Sequence, residues 1–179
     1  RDLHSFPTRR SSDLINFFDT ADAYGEGASE IVLGKALREF ARRDEVVVAT
    51  KFFASPGPGP NERGASRKHI MAAVDASLQR LQVDYIDLYI QHSFDRTTPM
   101  EETLRAMDDL LRAGKVLHIG ASNYKAWHLA KAIKLQALNG WTPFASMQVQ
   151  YNLLYREEER EMIPLCLDQQ IAVTAWSPL

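Results

Sequence analysis

Short apolar runs alternate with longer amphipathic runs along most of this sequence, and this alternation restricts its fold more than any other feature. The short runs have the length and the β-branched content of buried strands, and the longer ones carry apolar residues at helical spacing. Strands of this kind separated by helices are typical of a parallel sheet covered by helices. The pattern predicts strands at 15–18, 46–50, 86–91, 116–120, 145–150 and 171–176, and helices at 29–42, 66–81, 98–113, 125–138 and 157–167.

Two helix starts carry recognisable capping signals. Ser66 precedes a run with apolar residues at helical spacing and is a suitable N-cap. Thr98, Pro99 and Glu101 together predict a second start, with Thr98 as the N-cap and Pro99 at the first helical position. Gly114 supplies the left-handed turn that ends this helix.

The segment after the first strand distinguishes between two kinds of parallel sheet. A dinucleotide-binding sheet needs a glycine-rich turn there, but residues 19–25 are acidic and aromatic instead. Polar side chains follow the carboxyl ends of the strands, and in a β/α barrel those ends converge on one mouth. The chain is therefore predicted to be an α/β protein, an incomplete (β/α)8 barrel with about six of eight units. The polar residues at the strand ends are Asp19, Lys51, His92, Ser122, Asn123, Gln148 and Ser177.

These residues suit the reduction of a carbonyl group. Tyr24 beside the Lys51 ammonium would have its phenolate form stabilised, which makes it a usable proton donor, and Asp19 would hold Lys51 in place. A neutral His92 could orient the carbonyl by one hydrogen bond. Nearby amides and hydroxyls could hold a carboxamide, and Trp176 offers a flat face for stacking on a nicotinamide.

Taken singly, each residue has an ordinary structural explanation. Asp19 could cap a helix, Lys51 could be a solvated charge, and His92 could be a hydrogen-bonded loop histidine. Ser122 and Asn123 could cap the following helix. Six strand ends with complementary polar groups are nevertheless hard to explain by capping alone.

The composition of the chain argues against several classes of function. The 179 residues are 45% hydrophobic and 25% charged, as in an ordinary globular domain, and the net charge of −2 offers no electrostatic case for nucleic acid. Cys166 is the single cysteine, so neither a disulfide framework nor a cysteine-cluster metal site is expected. No apolar run approaches the roughly 18 residues of a membrane span, and no signal-peptide core is present, so we expect a cytoplasmic protein.

Several blocks in order resemble the aldo-keto reductases. The resemblance covers residues 15–179, and details at 61–70 and 151–156 are most similar to the aryl-alcohol dehydrogenase-like branch. The blocks are Phe18-Asp19-Thr20-Ala21-Asp22-Ala23-Tyr24-Gly25, Thr50-Lys51, Gln91-His92, Gly120-Ala121-Ser122-Asn123, Gln148-Val149-Gln150-Tyr151-Asn152 and Trp176-Ser177-Pro178-Leu179.

The resemblance implies a role for each matching residue. Tyr24 would be the general acid, Lys51 would favour its ionised form and Asp19 would pair with Lys51, while His92 would orient the carbonyl oxygen. The cofactor would be NADP(H) and the substrate a small carbonyl compound or alcohol, with no metal. The residues implied for the cofactor are Ser122, Asn123 and Gln148 at the carboxamide, Trp176 on the ring, and Ser177 and Leu179 at the pyrophosphate.

The resemblance also implies a barrel that is truncated at both ends. Residues 1–14 have no structural period and are predicted to be a non-native or unstructured leader. Residues 15–179 would be strand two to strand six, with strand one before them and strands seven and eight, bearing the groups for the adenosine 2′-phosphate, after them. We therefore expect the chain as given to bind the cofactor weakly or not at all.

Two other functions stay open at this point. The potassium-channel β-subunits share the barrel and most of the site, so a nucleotide-sensing regulatory subunit is the main alternative. A metal-dependent barrel hydrolase would need several ligands at the strand ends, and only Asp19 and His92 are available there.

Overall fold

The computed structural model describes residues 15–54, 59 and 61–179, and within them six parallel strands alternate with helices. Each strand pairs with its neighbour in sequence, so the sheet order is the chain order. The strands are β1 (Phe17–Asp19), β2 (Val47–Phe52), β3 (Ile86–Gln91), β4 (Val116–Ser122), β5 (Ser146–Gln150) and β6 (Ala172–Trp176). The helices are α1 (Ala28–Phe40), α2 (Arg67–Leu81), α3 (Met100–Arg112), α4 (Ala126–Asn139) and α5 (Met162–Asp168).

The sheet is strongly curled. Gln148 at β5 donates a hydrogen bond of 3.1 Å from Nε2 to Oδ2 of Asp19 at β1. Four strand spacings separate β1 from β5, which in a flat sheet would be about 19 Å. The six strands thus form the curled half-barrel expected of an incomplete (β/α)8 barrel, and the predicted fold class is confirmed.

The strand count corrects one detail of the predicted domain. The predicted span from strand two to strand six of the barrel would contain five strands, whereas the structure has six. If β1 is strand two of the barrel, β6 is therefore strand seven. The prediction of about six strand–helix units is confirmed.

The main apolar core lies between the outer face of the sheet and the helices. Tyr89 on β3 stacks on Phe52 of β2 with ring centroids 4.9 Å apart, and both are buried in this core. Side chains alternate along a strand, so Leu88 and Ile90, on either side of Tyr89, form a separate inner cluster with Ala49. The inner face of the half-barrel therefore has its own small apolar floor beneath the carboxyl ends of the strands.

The capping prediction holds for α2 and fails for α3. The Ser66 side chain accepts a hydrogen bond from the backbone N–H of His69, as an N-cap does. At α3 the N-cap is Pro99 instead of Thr98, and the Thr98 hydroxyl is directed to Asp95, where it donates to Oδ2 at 2.8 Å. Gly114 has the predicted left-handed conformation, with φ of 70°.

The helix predicted at 157–167 is divided in two. A short 3₁₀ turn at Glu157–Glu159 is followed by the separate helix α5. Pro164, near the start of α5, has no backbone N–H and its ring would clash with the preceding turn of a continuous helix. The predicted leader at 1–14 lies outside the described residues.

Candidate active site

Lys51 and Asp19 form an ion pair at the carboxyl ends of adjacent strands. Nζ of Lys51 lies 2.8 Å from Oδ1 and 2.9 Å from Oδ2 of Asp19, and it also donates to the backbone carbonyl of Thr20 at 2.8 Å. The Lys51 side chain is fully buried and that of Asp19 is one-third exposed. Three acceptor atoms around one buried ammonium hold it at a fixed point on the inner face.

Tyr24 lies over this ammonium on the turn that follows β1. The Tyr24 hydroxyl is 3.5 Å from Nζ of Lys51, and the ammonium is 5.0 Å from the centre of the tyrosine ring. The Tyr24 side chain is partly exposed to solvent. A phenol in contact with an ammonium and open to a substrate is suited to proton donation.

His92 follows β3 and completes the group of four. Its ring lies edge-on to that of Tyr24, with centroids 5.8 Å apart. Burial and the positive charge of Lys51 lower the pKa of His92, so its neutral form is favoured at neutral pH. Its Nδ1 is buried and has no hydrogen-bond partner among the described residues. The structure therefore brings the four predicted catalytic residues into one cluster.

Three of the residues predicted to hold the cofactor border this cluster. Gln148 is tied to Asp19, and Asn123, whose φ is 54°, donates from Nδ2 to the backbone carbonyl of His92 at 2.9 Å. The Ser122 hydroxyl is buried without a partner in the part of the chain that the structure describes. An unpaired hydroxyl beside two amide side chains fits the hydrogen-bonding needs of a nicotinamide carboxamide.

The remaining three residues lie at the open side of β6. Trp176 is partly exposed, and Ser177 adopts a φ of 49° with its carbonyl accepting from Nδ2 of Asn152 at 2.9 Å. Leu179 is fully exposed. The indole of Trp176 is available for stacking, whereas the proposed pyrophosphate contacts of Ser177 and Leu179 stay predictions.

Sequence reasoning missed a carboxylate that organises the loop after His92. Asp95 accepts hydrogen bonds from the backbone N–H of Ala65 and from the backbone and hydroxyl groups of Thr97 and Thr98. These donors lower its pKa to about 2, against the opposing effect of burial. The sequence signal was an aspartate two residues before a pair of threonines, since Asp side chains often bond the backbone of a turn.

Metal binding and membrane insertion would require other features. No group of three or more His, Cys, Asp or Glu side chains in residues 15–54, 59 and 61–179 is arranged to hold a metal ion. None of the helices described is long and apolar enough to cross a membrane.

Comparison with known proteins gives a consistent result. The model of the Aldo/keto reductase family matches residues 13–179. Versiconal hemiacetal acetate reductase of Aspergillus parasiticus is 44% identical, an aldo-keto reductase of Fusarium vanettenii 42%, and a probable voltage-gated potassium channel subunit beta of Arabidopsis thaliana 40%. Each match covers 92% of this chain but 53%, 51% and 51% of the relative, so the chain spans about half the length of these proteins.

Proposed function

The chain belongs to the aldo/keto reductase family, and from this premise we propose that its protein reduces aldehydes or ketones to alcohols with NADPH. The cofactor, when bound, supplies the hydride. The observation that carries the proposal is the contact of Lys51 with both Asp19 and Tyr24, because it joins a proton donor to the charge that stabilises its conjugate base.

The residues of the chain supply the proton and position the carbonyl group. Tyr24 gives its proton to the carbonyl oxygen as negative charge develops there, and Lys51 stabilises the phenolate that is left. His92, held neutral, donates one hydrogen bond that orients the same oxygen. Asp19 keeps Lys51 in position, and the partly exposed Tyr24 side chain leaves the carbonyl a route to the proton.

The carboxamide would be held by the amides of Asn123 and Gln148 and by the unpaired Ser122 hydroxyl, with Trp176 against the ring. Ser177 and Leu179 are proposed for the pyrophosphate. The preference for NADPH over NADH and the cytoplasmic location are part of the proposal and rest on the family. The resemblance to the aryl-alcohol dehydrogenase-like branch makes an aromatic aldehyde the first substrate to test.

Replacement of Tyr24 by Phe tests the assignment of the proton donor. The experiment uses the whole protein that contains this chain. In it, Tyr24→Phe should lower kcat for an aromatic aldehyde by at least about 100-fold, the usual contribution of a general acid. NADPH oxidation is the measurement. Tyr85→Phe is the matched control, because Tyr85 precedes β3 at the opposite end of the barrel and packs under Arg43.

The possible results distinguish the function of the whole protein from the activity of this chain alone. If Tyr24→Phe retains full turnover, Tyr24 is not the proton donor. If the chain alone turns over and loses turnover in Tyr24→Phe, the function stands and the expectation that the chain alone is inactive is wrong. A complete protein that oxidises NADPH with neither aldehydes nor ketones would contradict the proposed function.

A regulatory role is the second candidate, because one relative is named as a probable potassium channel subunit beta at 40% identity. On this proposal the same site senses the nucleotide and the protein assembles with a channel. Co-purification with a channel that depends on the nucleotide would favour it. A catalytic turnover that needs no partner would favour the reductase.

A further inference from the structure

A second polar cluster lies behind the turn that carries Tyr24, on the outer side of β2. Glu30 of α1 is fully buried there. Its Oε1 accepts from the Thr50 hydroxyl at 2.6 Å and its Oε2 from Nε of Arg80 at 2.6 Å. The single guanidinium of this cluster is thus committed to Glu30, and none of these groups has a part in the proposed reduction.

Asp22 joins this cluster without a cation of its own. It is only 2% exposed, and its Oδ1 has no hydrogen-bond partner among the residues described. The charged and titratable groups around it come from each neighbouring element: Glu30 from α1, Lys51 from β2, Arg80 from α2 and Tyr89 from β3. Burial and the charge of Glu30 raise the pKa of Asp22 to about 7, although a hydrogen bond from the Ala23 backbone and the charges of Arg80 and Lys51 oppose the shift.

The backbone of Asp22 connects this cluster to the catalytic group. The Asp22 N–H donates to the carbonyl of Lys51 at 3.1 Å, and Nζ of Lys51 donates to the carbonyl of Thr20. The Tyr24 N–H donates to the carbonyl of Ala21 at 3.2 Å in the same turn. A displacement of the Asp22 side chain towards water would therefore move the turn that holds Tyr24 over Lys51.

We propose that Asp22 and Glu30 are positioning residues that make the placement of the Tyr24 turn depend on proton binding to the Asp22 carboxyl. When the carboxyl is neutral, it fits the closed space beside Glu30. When it loses its proton, two carboxylates face one guanidinium in a site with little water, and the turn is driven outward. The inference rests on the proposed function only in giving Tyr24 a catalytic task.

The direction of the pH effect follows from the pKa of Asp22. Because this pKa is raised above the ordinary value of 3.8, the folded state holds the proton more tightly than the unfolded chain does. The contribution of this group to stability is complete below about pH 4 and is lost as the pH rises towards 7. The closed arrangement of the turn should therefore dominate in mild acid and weaken above neutrality.

The test follows Tyr24 directly and needs no turnover. The chain is labelled with [¹³Cζ]tyrosine, the Tyr24 signal is assigned by its loss in Tyr24→Phe, and its position is followed from pH 5 to pH 9. The wild-type signal should shift with a midpoint near 7. The His92 ring also lies beside Tyr24, and its lowered pKa places its own transition below the ordinary value of 6.5.

Two variants and a control separate the proposal from a merely structural role. Asp22→Asn should abolish the transition near pH 7, and Glu30→Gln should move its midpoint to lower pH, because it removes the negative charge beside Asp22. Asp44→Asn, the same change at an exposed aspartate paired with Arg42, should leave the midpoint unchanged. If Asp22→Asn does not fold, the wild type and Glu30→Gln decide the question.

A wild-type Tyr24 signal that shows no transition between pH 6.5 and 8 would overturn the proposal, as would an unchanged midpoint in Glu30→Gln. Retention of the transition in a folded Asp22→Asn variant would overturn it equally. Each of these results is independent of whether the protein reduces carbonyl compounds, so failure of the proposed function would not imitate any of them.

Discussion

Lys51 holds a positive charge on a fully buried side chain, and the neighbouring groups respond to that charge. Asp19 and the Thr20 carbonyl take up its hydrogen bonds on one side, while Tyr24 and His92 lie on the other. The same ammonium thus binds a carboxylate, contacts a phenol and disfavours an imidazolium. A change at this one residue should be measurable at the others.

Replacement of Lys51 by Met should raise the pKa of His92. The lowered pKa of His92 has burial as its first cause and the Lys51 charge as its second, and Asp19 acts in the opposite direction. Lys51→Met keeps an unbranched side chain of nearly the same length and removes the charge together with its hydrogen bonds, which leaves Asp19 free to stabilise the imidazolium. The measurement is a pH titration of the His92 Cε1–H signal by NMR.

Lys115→Met is the control, because Lys115 forms a surface pair with Asp75 away from the site. The wild-type His92 should titrate below its ordinary value of 6.5, so that the stability it contributes is present above that pH and is lost as the pH falls. A His92 pKa that stays fixed or falls in Lys51→Met would contradict the electrostatic account.

At the scale of single residues, the sequence predicted which side chains form the candidate catalytic group but not how buried they are or what they contact. Asp19, Tyr24, Lys51 and His92 stand out because each follows a predicted strand. The burial of Lys51 could not be predicted, since a lysine at a strand end is usually solvated and only the curl of the sheet turns it inward. The Glu30 contacts were not predicted, because a glutamate in the first turn of a helix is already explained by its favourable interaction with the helix dipole.

Packing of α1 on α2 depends on a glycine within α1. A Cβ built on Gly34 would lie 2.3 Å from the backbone carbonyl oxygen of Leu81, the last residue of α2. The obstacle is main chain and cannot rotate away, so the helices approach this closely only because position 34 has no side chain.

Gly34→Ala should destabilise the protein although alanine is the better helix former. Helix propensity alone favours alanine by about 1 kcal/mol, whereas an atom forced into a closed contact costs about 1–3 kcal/mol, and more when backbone must move. We expect a net loss of about 2 kcal/mol in the free energy of unfolding, measured by urea denaturation. Glu39→Ala, at an exposed position of the same helix, should change it by less than about 0.5 kcal/mol. A stabilised Gly34→Ala variant would show that the helices can separate at no cost.

Element boundaries were predictable where local chemistry acts alone and were wrong where distant contacts or a proline intervene. Ser66 caps α2 as predicted, since its partner His69 lies in the same turn. Thr98 does not cap α3, because Asp95 holds its backbone N–H and its hydroxyl and also ties the loop to Ala65, a residue distant in the sequence. Strand β3 was predicted to the residue, since its apolar run has clear limits on both sides.

At the scale of the whole molecule, the curl of the sheet creates the site and leaves two strands paired on one side only. Asp19 and Gln148 meet because the sheet is strongly curled, and no sequence pattern gives that distance. Within the described residues, β1 pairs only with β2 and β6 only with β5. The side chains of Val173 and Trp176 on β6 are partly exposed, as is that of Phe17 on β1.

Unpaired strand edges with apolar side chains promote pairing between chains, so the chain as given should self-associate as its concentration rises. Lysine on an edge strand opposes such pairing, because its charge would be buried in the new contact. Val173→Lys should therefore reduce the association observed by sedimentation velocity. Leu138→Lys is the matched control, since Leu138 is an exposed apolar residue on α4, away from both edges. If the two substitutions reduce association equally, general surface hydrophobicity drives it; if only Val173→Lys does so, the β6 edge is the contact, and a segment that pairs with β6 should suppress association of the unmodified chain in the same assay.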